Sequence, residues 1–143
     1  MQSILLIGYG NPGRQDDGLG PALADAVTKM NIRGVDVDSD YQLTVEDSVE
    51  IANHDLVIFA DADVNGPEPF YFKEITPGGY ASFSSHSIEP KALLKLTEEL
   101  FDKRIKAYVL GIRGYKFNEF EEKLSEKAIN NLLEAIDFIQ KAL

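Results

Sequence analysis

The sequence predicts a three-layer α/β fold, with a mostly parallel, twisted sheet of about five strands flanked by helices. Two observations lead to this prediction. Short apolar runs alternate along the chain with longer segments of helical periodicity, and no linker, repeat or low-complexity segment divides the sequence. The 143 residues, 44% hydrophobic and 27% charged, also have the length and composition of one globular domain, here residues 1–143.

The first half of the chain supplies three strands and two helices. The run at 3–8 is apolar at successive positions, which is typical of an interior strand buried on both faces. Pro21 suits the first turn of the helix that follows, and Thr44 with Asp47 forms a relative of the capping box near the start of the next helix. The predicted strands are 3–8, 34–40 and 54–62, and the predicted helices are 18–31 and 44–53.

The second half supplies two strands, two helices and one long loop. The alternating stretch at 69–75 predicts an edge or antiparallel strand, and the apolar run at 106–112 predicts another strand. A proline marks the start of a helix over 89–102, and the amphipathic stretch at 122–142 predicts a long final helix. Between 76 and 88 the sequence is rich in Gly and Ser, which predicts a loop.

Charge and composition narrow the possible classes of function. The net charge of -10 disfavours nucleic acid and anionic membrane surfaces as partners, because like charges repel. The chain has no Cys, which excludes disulfides, thiolate metal ligands and a Cys nucleophile. No apolar run approaches the roughly 20 residues of a membrane span, and the N-terminus lacks the basic region of a signal peptide. We therefore expect a cytoplasmic protein.

Acidic side chains follow the predicted strands at the edge where parallel α/β sheets bind ligands. Asp17 comes after the first strand, Asp61 and Asp63 end the third, and His86 lies in the long loop. Carboxylates and an imidazole at one edge could hold a divalent metal with open positions. Each has a simpler interpretation as well, because Asp17 also suits a helix N-terminus, Asp61 and Asp63 suit turns, and His86 suits the surface. His54 precedes a strand at the far edge and is expected at the surface.

The stretch from Gly8 to Gly20 contains the G-x-G-x-x-G pattern of a dinucleotide-binding turn. It follows a strand and precedes a helix, as that motif requires, and Asp38 lies at about the distance of a ribose-binding acid. However, Asp16 and Asp17 would repel a pyrophosphate, and the helical pattern begins only after them. We therefore favour a site built around acidic side chains.

The same stretch resembles the signature of the hydrogenase maturation proteases, endopeptidases that trim the C-terminal tail of the large subunit of nickel–iron hydrogenases. Residues 7–20, with the sequence IGYGNPGRQDDGLG, match its pattern of a strand, G-x-G-N, a short spacer and D-[DE]-G-x-G. The stretch from Val57 to Ala62 is similar to the family's strand that ends in Asp-Ala, and His86, just before a helix, resembles the family's histidine. The order and separation of these segments match over most of the chain.

This resemblance implies that the chain removes the C-terminal extension of a nickel–iron hydrogenase large-subunit precursor after nickel insertion. Asp17, Asp61 and His86 would stand at the family's metal-ligand positions and would engage nickel that the precursor supplies. The metal could then polarise the scissile carbonyl or activate water, or Asp17 or Asp61 could act as a general base. The implied partner is the precursor protein.

The sequence departs from the family in two places and leaves two alternatives open. Asp38 to Leu43 lacks the turn that many members carry after the second strand, and Arg113, interpreted as a solvated loop residue rather than a contact to the precursor tail, opens an unexpected segment. One alternative is a non-catalytic module that binds a dinucleotide or a metal. The other is an enzyme like the peptidyl-tRNA hydrolases, which share strand-G-x-G-N-P-G. Their Arg-His-Asn stretch is missing here, and a polyanionic substrate suits a net charge of -10 poorly.

Overall fold

One five-stranded sheet forms the middle layer of the protein. The computed structural model describes residues 2–79 and 88–143 of the chain. The strands are β1 Ile4–Tyr9, β2 Val35–Asp40, β3 Leu56–Asp63, β4 Phe70–Ile75 and β5 Lys106–Arg113. They lie in the order β2-β1-β3-β5-β4, and only the edge strand β4 pairs in the antiparallel direction. The predicted fold class is therefore confirmed, including an antiparallel strand at the edge.

In the described parts of the chain, four helices cover the two faces of the sheet. They are α1 Leu19–Met30, α2 Asp47–Ala52, α3 Pro90–Phe101 and α4 Glu126–Ala142, and a single 3-10 turn spans Gln15–Gly18. Leu6 of β1 faces the core beneath α1 and α4, whereas its neighbours Leu5 and Ile7 face the core beneath α2 and α3. The continuous apolar run of β1 is thus explained by burial on both faces. No helix in the described ranges is long and apolar enough to cross a membrane.

The prediction placed two helix ends wrongly. The final helix begins at Glu126 rather than at residue 122, because Ser125 is its N-cap and accepts a hydrogen bond from the Ala128 N–H at 3.4 Å. The second helix is only Asp47–Ala52. There the Thr44 N–H donates to the Asp47 carboxylate at 2.9 Å, which is one half of the expected capping box.

The expectation of a surface position for His54 was also wrong. Its side chain is buried, and the strand begins two residues later at Leu56. Nδ1 lies 2.7 Å from the Glu50 carbonyl oxygen, and Nε2 lies 2.7 Å from an Asp36 carboxylate oxygen. Burial alone would lower the pKa of His54, but these partners raise it above its usual value. The histidine thus ties α2 to β2 at the edge of the sheet far from the acidic loops.

Candidate active site

The candidate site lies at the carboxyl ends of β1 and β3, which are neighbours in the sheet. From β1 the chain crosses to β2 on one side, whereas β4 and β5 lie on the other side of β3. The loop after β1 therefore runs to one side of the sheet and the loop after β3 runs to the other, which leaves a crevice between them. Open α/β sheets bind ligands in such a crevice. Asp17 is placed here by the turn after β1, and Asp61 by the end of β3.

Two glycines of the opening motif bring the first helix close to the ends of the strands. Gly10 has φ 138°, and a Cβ there would overlap the Asp17 carbonyl oxygen. A Cβ at Gly20 would overlap the carbonyl oxygens of Tyr9 and Ala60, which end β1 and approach the end of β3. These positions require glycine for backbone packing, so the glycine pattern needs no nucleotide to explain it.

Asp17 occupies the turn that a dinucleotide would need. Its carboxylate accepts a hydrogen bond from the Asn11 N–H at 2.8 Å, and the Asn11 side chain in turn accepts one from the Gly13 N–H at 2.9 Å. The N–H of Asn11 is thus bound by a negative charge of the protein itself. A pyrophosphate would have to displace that carboxylate and would be repelled by it. This geometry disfavours the dinucleotide alternative.

Asp61 is a largely buried carboxyl group close to another acid. Burial raises the pKa of Asp61 to about 7, with a further contribution from the negative charge of Asp17, although hydrogen bonds from the Ala62 N–H and the Tyr9 hydroxyl lower it. The Ala62 N–H lies 2.8 Å from the Asp61 carboxylate. Burial and the neighbouring Asp61 raise the pKa of Tyr9 above its usual value. Two carboxylates at the ends of neighbouring strands are a donor set that a divalent cation could neutralise.

Asp16, the immediate neighbour of Asp17, has a structural role that the sequence did not reveal. It is fully buried, and its carboxylate accepts hydrogen bonds from the N–H groups of Tyr115, Lys116 and Ser125 and from the Ser125 hydroxyl, at 2.7–3.0 Å. Burial alone would raise the pKa of Asp16, but these hydrogen bonds hold it below its usual value. Asp16 therefore fastens the 114–125 loop, which follows β5, to the turn that carries Asp17.

A cleft of about 580 Å³ opens beside Asp61. Its lining includes Tyr9, Asp63 and Tyr71, and it extends towards the start of α3. Asp63 ends β3 and accepts a hydrogen bond from the Asn65 N–H at 2.9 Å, which agrees with its interpretation as a turn residue. Burial and a hydrogen bond to Asp63 raise the pKa of the Tyr71 hydroxyl to about 12. The cleft thus gives an extended segment of another chain a way to approach Asp61.

Arg113 differs from its interpretation as a solvated loop residue. It is the last residue of β5, and its guanidinium donates to the Gly66 carbonyl oxygen at 2.8 Å. The guanidinium also lies 5.0 Å from the centre of the Tyr115 ring. Arg113 therefore stabilises the turn after β3 and is half-buried.

Comparison with known proteins finds similar structures but no matching family model or curated sequence. Over 98% of this chain and 91% of the other, the fold matches the nickel–iron hydrogenase maturation protease HycI of Thermococcus kodakarensis, with a TM-score of 0.74 and 21% identity. The hydrogenase maturating endopeptidase HybD of E. coli matches over 99% and 91% of the two chains, with a TM-score of 0.75 and 18% identity.

A third structure, the hydrogenase 2 maturation peptidase of a Thaumarchaeota archaeon, matches over 99% of this chain and 97% of its own, with a TM-score of 0.70 and 22% identity. The fold is that of the hydrogenase maturation proteases. The resemblance first seen in a short glycine-rich stretch thus extends to the arrangement of the whole sheet and its helices. No insertion of domain size separates this chain from these proteases, because both chains are covered almost completely.

Of the three site residues predicted from that resemblance, the structure describes Asp17 and Asp61. The structure places Asp17 and Asp61 on the segments that follow or end the neighbouring strands β1 and β3, where the charge of Asp17 contributes to the raised pKa of Asp61. His86 lies outside the described residues, so its place beside the two carboxylates stays a prediction. Within 2–79 and 88–143, no three His, Cys, Asp or Glu side chains are grouped so that they could hold a metal ion. A three-ligand site therefore requires a group from outside these ranges, and His86 is the residue that we expect to supply it.

Proposed function

We propose that this protein is an endopeptidase that removes the C-terminal extension of a nickel–iron hydrogenase large-subunit precursor after nickel has been inserted. The observation that carries this proposal is the meeting of Asp17 and Asp61 at the switch point of the sheet, on the fold of the hydrogenase maturation proteases. We place this activity in the cytoplasm and assign it to the aspartic type, with Asp17 and Asp61 as the catalytic carboxylates; a Cys nucleophile is excluded because the chain has no Cys.

The proposed reaction uses the two carboxylates and His86 around the substrate's own nickel. Asp17 and Asp61 suit a hard or borderline cation, and His86 would add an imidazole, so that the precursor's metal would position its tail in the crevice. Water then adds to the scissile carbonyl carbon, the C–N bond breaks, and the departing amine takes up a proton. A carboxylate that is not engaged by the cation can take the proton from the attacking water.

The cleft beside Asp61 supports a peptide substrate. It is lined by Asp61 and by other acidic and basic side chains, among them Asp63, Glu89 and Lys91. A cleft that combines apolar and charged side chains suits a peptide segment, whose backbone groups need hydrogen-bonding partners. The metal-binding alternative without catalysis would use the same carboxylates but would have no need of such a cleft.

A cleavage assay tests this proposal. The purified protein is incubated with the nickel-loaded precursor or the nickel-free precursor, and loss of the tail is followed by mass spectrometry. We expect cleavage of the nickel-loaded form alone, and loss of activity in His86→Ala. Equal cleavage of both forms would refute nickel-dependent recognition, and full activity of His86→Ala would remove His86 from the site. Binding of the precursor without cleavage would instead favour the non-catalytic metal-binding module.

A further inference from the structure

Three exposed apolar side chains stand on the loops that surround the carboxylate pair. Tyr41 follows β2, Val64 follows β3 and Phe120 lies in the 114–125 loop after β5. Their exposed fractions are 69%, 52% and 84%. We call Tyr41, Val64 and Phe120 the apolar rim. A single exposed apolar side chain is ordinary, but these three lie at the same edge of the sheet as Asp17 and Asp61.

Each member of the apolar rim is held on a turn by hydrogen bonds. The Tyr41 N–H donates to the Asp40 carboxylate at 2.8 Å, and the turn at Val64 is closed by the bond from the Asn65 N–H to Asp63 at 2.9 Å. On either side of Phe120, the Glu119 N–H donates to the Gln15 side chain at 3.2 Å and the Glu121 carbonyl accepts from the Gln15 N–H at 2.8 Å. Turns held in this way lose little backbone conformational entropy when they bind a partner.

The surface next to the rim residues combines apolar and charged groups. Tyr41 shares a hollow of about 190 Å³ with Pro12 and Pro21, next to the loop whose Asn11 N–H binds Asp17. Val64 lines the cleft of about 580 Å³ that opens beside Asp61. The Arg14 guanidinium lies 5.5 Å from the centre of the Phe120 ring. Tyr41 and Val64 line separate cavities and Phe120 packs against Arg14, so the rim is spread over several loops rather than gathered in one pocket.

The charge at the centre of this surface defines the occupant. Asp17, Asp61 and Asp63 lie at the same edge of the sheet as the rim, on a protein of net charge -10, so this edge favours a partner that presents positive charge. An apolar and aromatic periphery around a charged centre is the composition of a protein interface, in which aromatic side chains contribute most of the binding energy. We propose that the apolar rim docks the folded body of the precursor around its metal centre, so that recognition extends beyond the tail. This inference rests on the proposed function.

Binding and cleavage measured together test the apolar rim. Tyr41→Ser and Phe120→Ser are compared with Leu100→Ser and Leu133→Ser, whose parent side chains are similarly exposed, at 61% and 58%, but lie on α3 and α4 away from the carboxylates. We expect the rim variants to bind the nickel-loaded precursor roughly tenfold more weakly and to raise KM with little change in kcat. The two control variants should bind and cleave like the wild type, and thermal unfolding should show that all four are folded.

The results distinguish a failure of the rim proposal from a failure of the proposed function. If the wild type cleaves the precursor and the rim variants bind it as tightly as the wild type does, the proposed function stands and the docking role of the rim is refuted. A wild type that neither binds nor cleaves the precursor would overturn both. Light scattering tests a third outcome. If the wild type is a dimer and the rim variants are monomers, the rim mediates self-association instead of precursor binding. Weaker binding by the control variants to the same extent would likewise refute a specific role for the rim.

Discussion

Two adjacent aspartates carry out different tasks in this protein. Asp16 is fully buried and holds the 114–125 loop, whereas Asp17 is half-buried and its charge contributes to the raised pKa of Asp61. The sequence shows the pair but cannot separate the two roles, because the partners of Asp16 lie 99 to 109 residues further along the chain. A hydrogen-bonded network of that sequence separation leaves no local pattern.

Replacement of Asp16 tests its structural role. Asp16→Asn keeps the shape but turns one acceptor into a donor that faces the N–H groups of the loop, so we expect the free energy of unfolding to fall by about 2–4 kcal/mol. Asp25→Asn is the matched control, since Asp25 is exposed and pairs only with Lys29 on the surface of α1; its effect should stay within about 0.5 kcal/mol. Urea unfolding measures both. Equal stability of the two variants would contradict the structural role.

The same residue predicts a dependence of stability on pH. The folded protein lowers the pKa of Asp16, so its contribution is fully present above the unfolded value of about 4 and is lost as the pH falls through the lower folded value. The wild type should therefore lose its advantage over Asp16→Asn as urea unfolding is repeated at decreasing pH below about 4. A stability difference that does not change with pH would show that the charge of Asp16 contributes nothing.

At the scale of elements, short-range patterns predicted the strands and helices well, because burial on one face repeats along each element. The errors fall where contacts distant in sequence decide. The start of α4 is set by Ser125, whose N–H and hydroxyl also bind Asp16, and the burial of His54 depends on Asp36 in a neighbouring strand. Neither contact can be predicted from the periodicity of the sequence. Parallel topology, however, was sufficient to predict that the loops carrying Asp17 and Asp61 would meet.

The packing of α1 against the sheet gives a prediction for Gly20. A Cβ in Gly20→Ala would overlap two backbone carbonyl oxygens, which cannot move without displacing β1 or β3, so we expect a loss of about 2–4 kcal/mol of stability. Gly78→Ala is the control, because a Cβ there meets no described atom within 4 Å. Its stability should change by less than about 1 kcal/mol. Chemical denaturation compares the two, and similar losses would refute the close approach of α1.

At the scale of the whole molecule, the proposed function makes the nickel part of the substrate rather than a resident metal of the protease. Treatment of the protease with a chelator, followed by removal of the chelator, should therefore leave cleavage of the nickel-loaded precursor unchanged. The reason is that Asp17 and Asp61 would meet nickel only when the precursor docks. Activity that disappears after this treatment, and returns when metal is added to the protease alone, would indicate a resident metal instead.

The central claim is that the crevice formed by Asp17 and Asp61 cleaves the precursor. The most direct measurement is the intact mass of the nickel-loaded large subunit after incubation with the wild type, Asp61→Asn or the control Asp25→Asn. The proposal predicts that the wild type and Asp25→Asn remove the C-terminal extension, whereas Asp61→Asn leaves the precursor whole. An unchanged mass with the wild type, or the same loss of mass with Asp61→Asn, would contradict it.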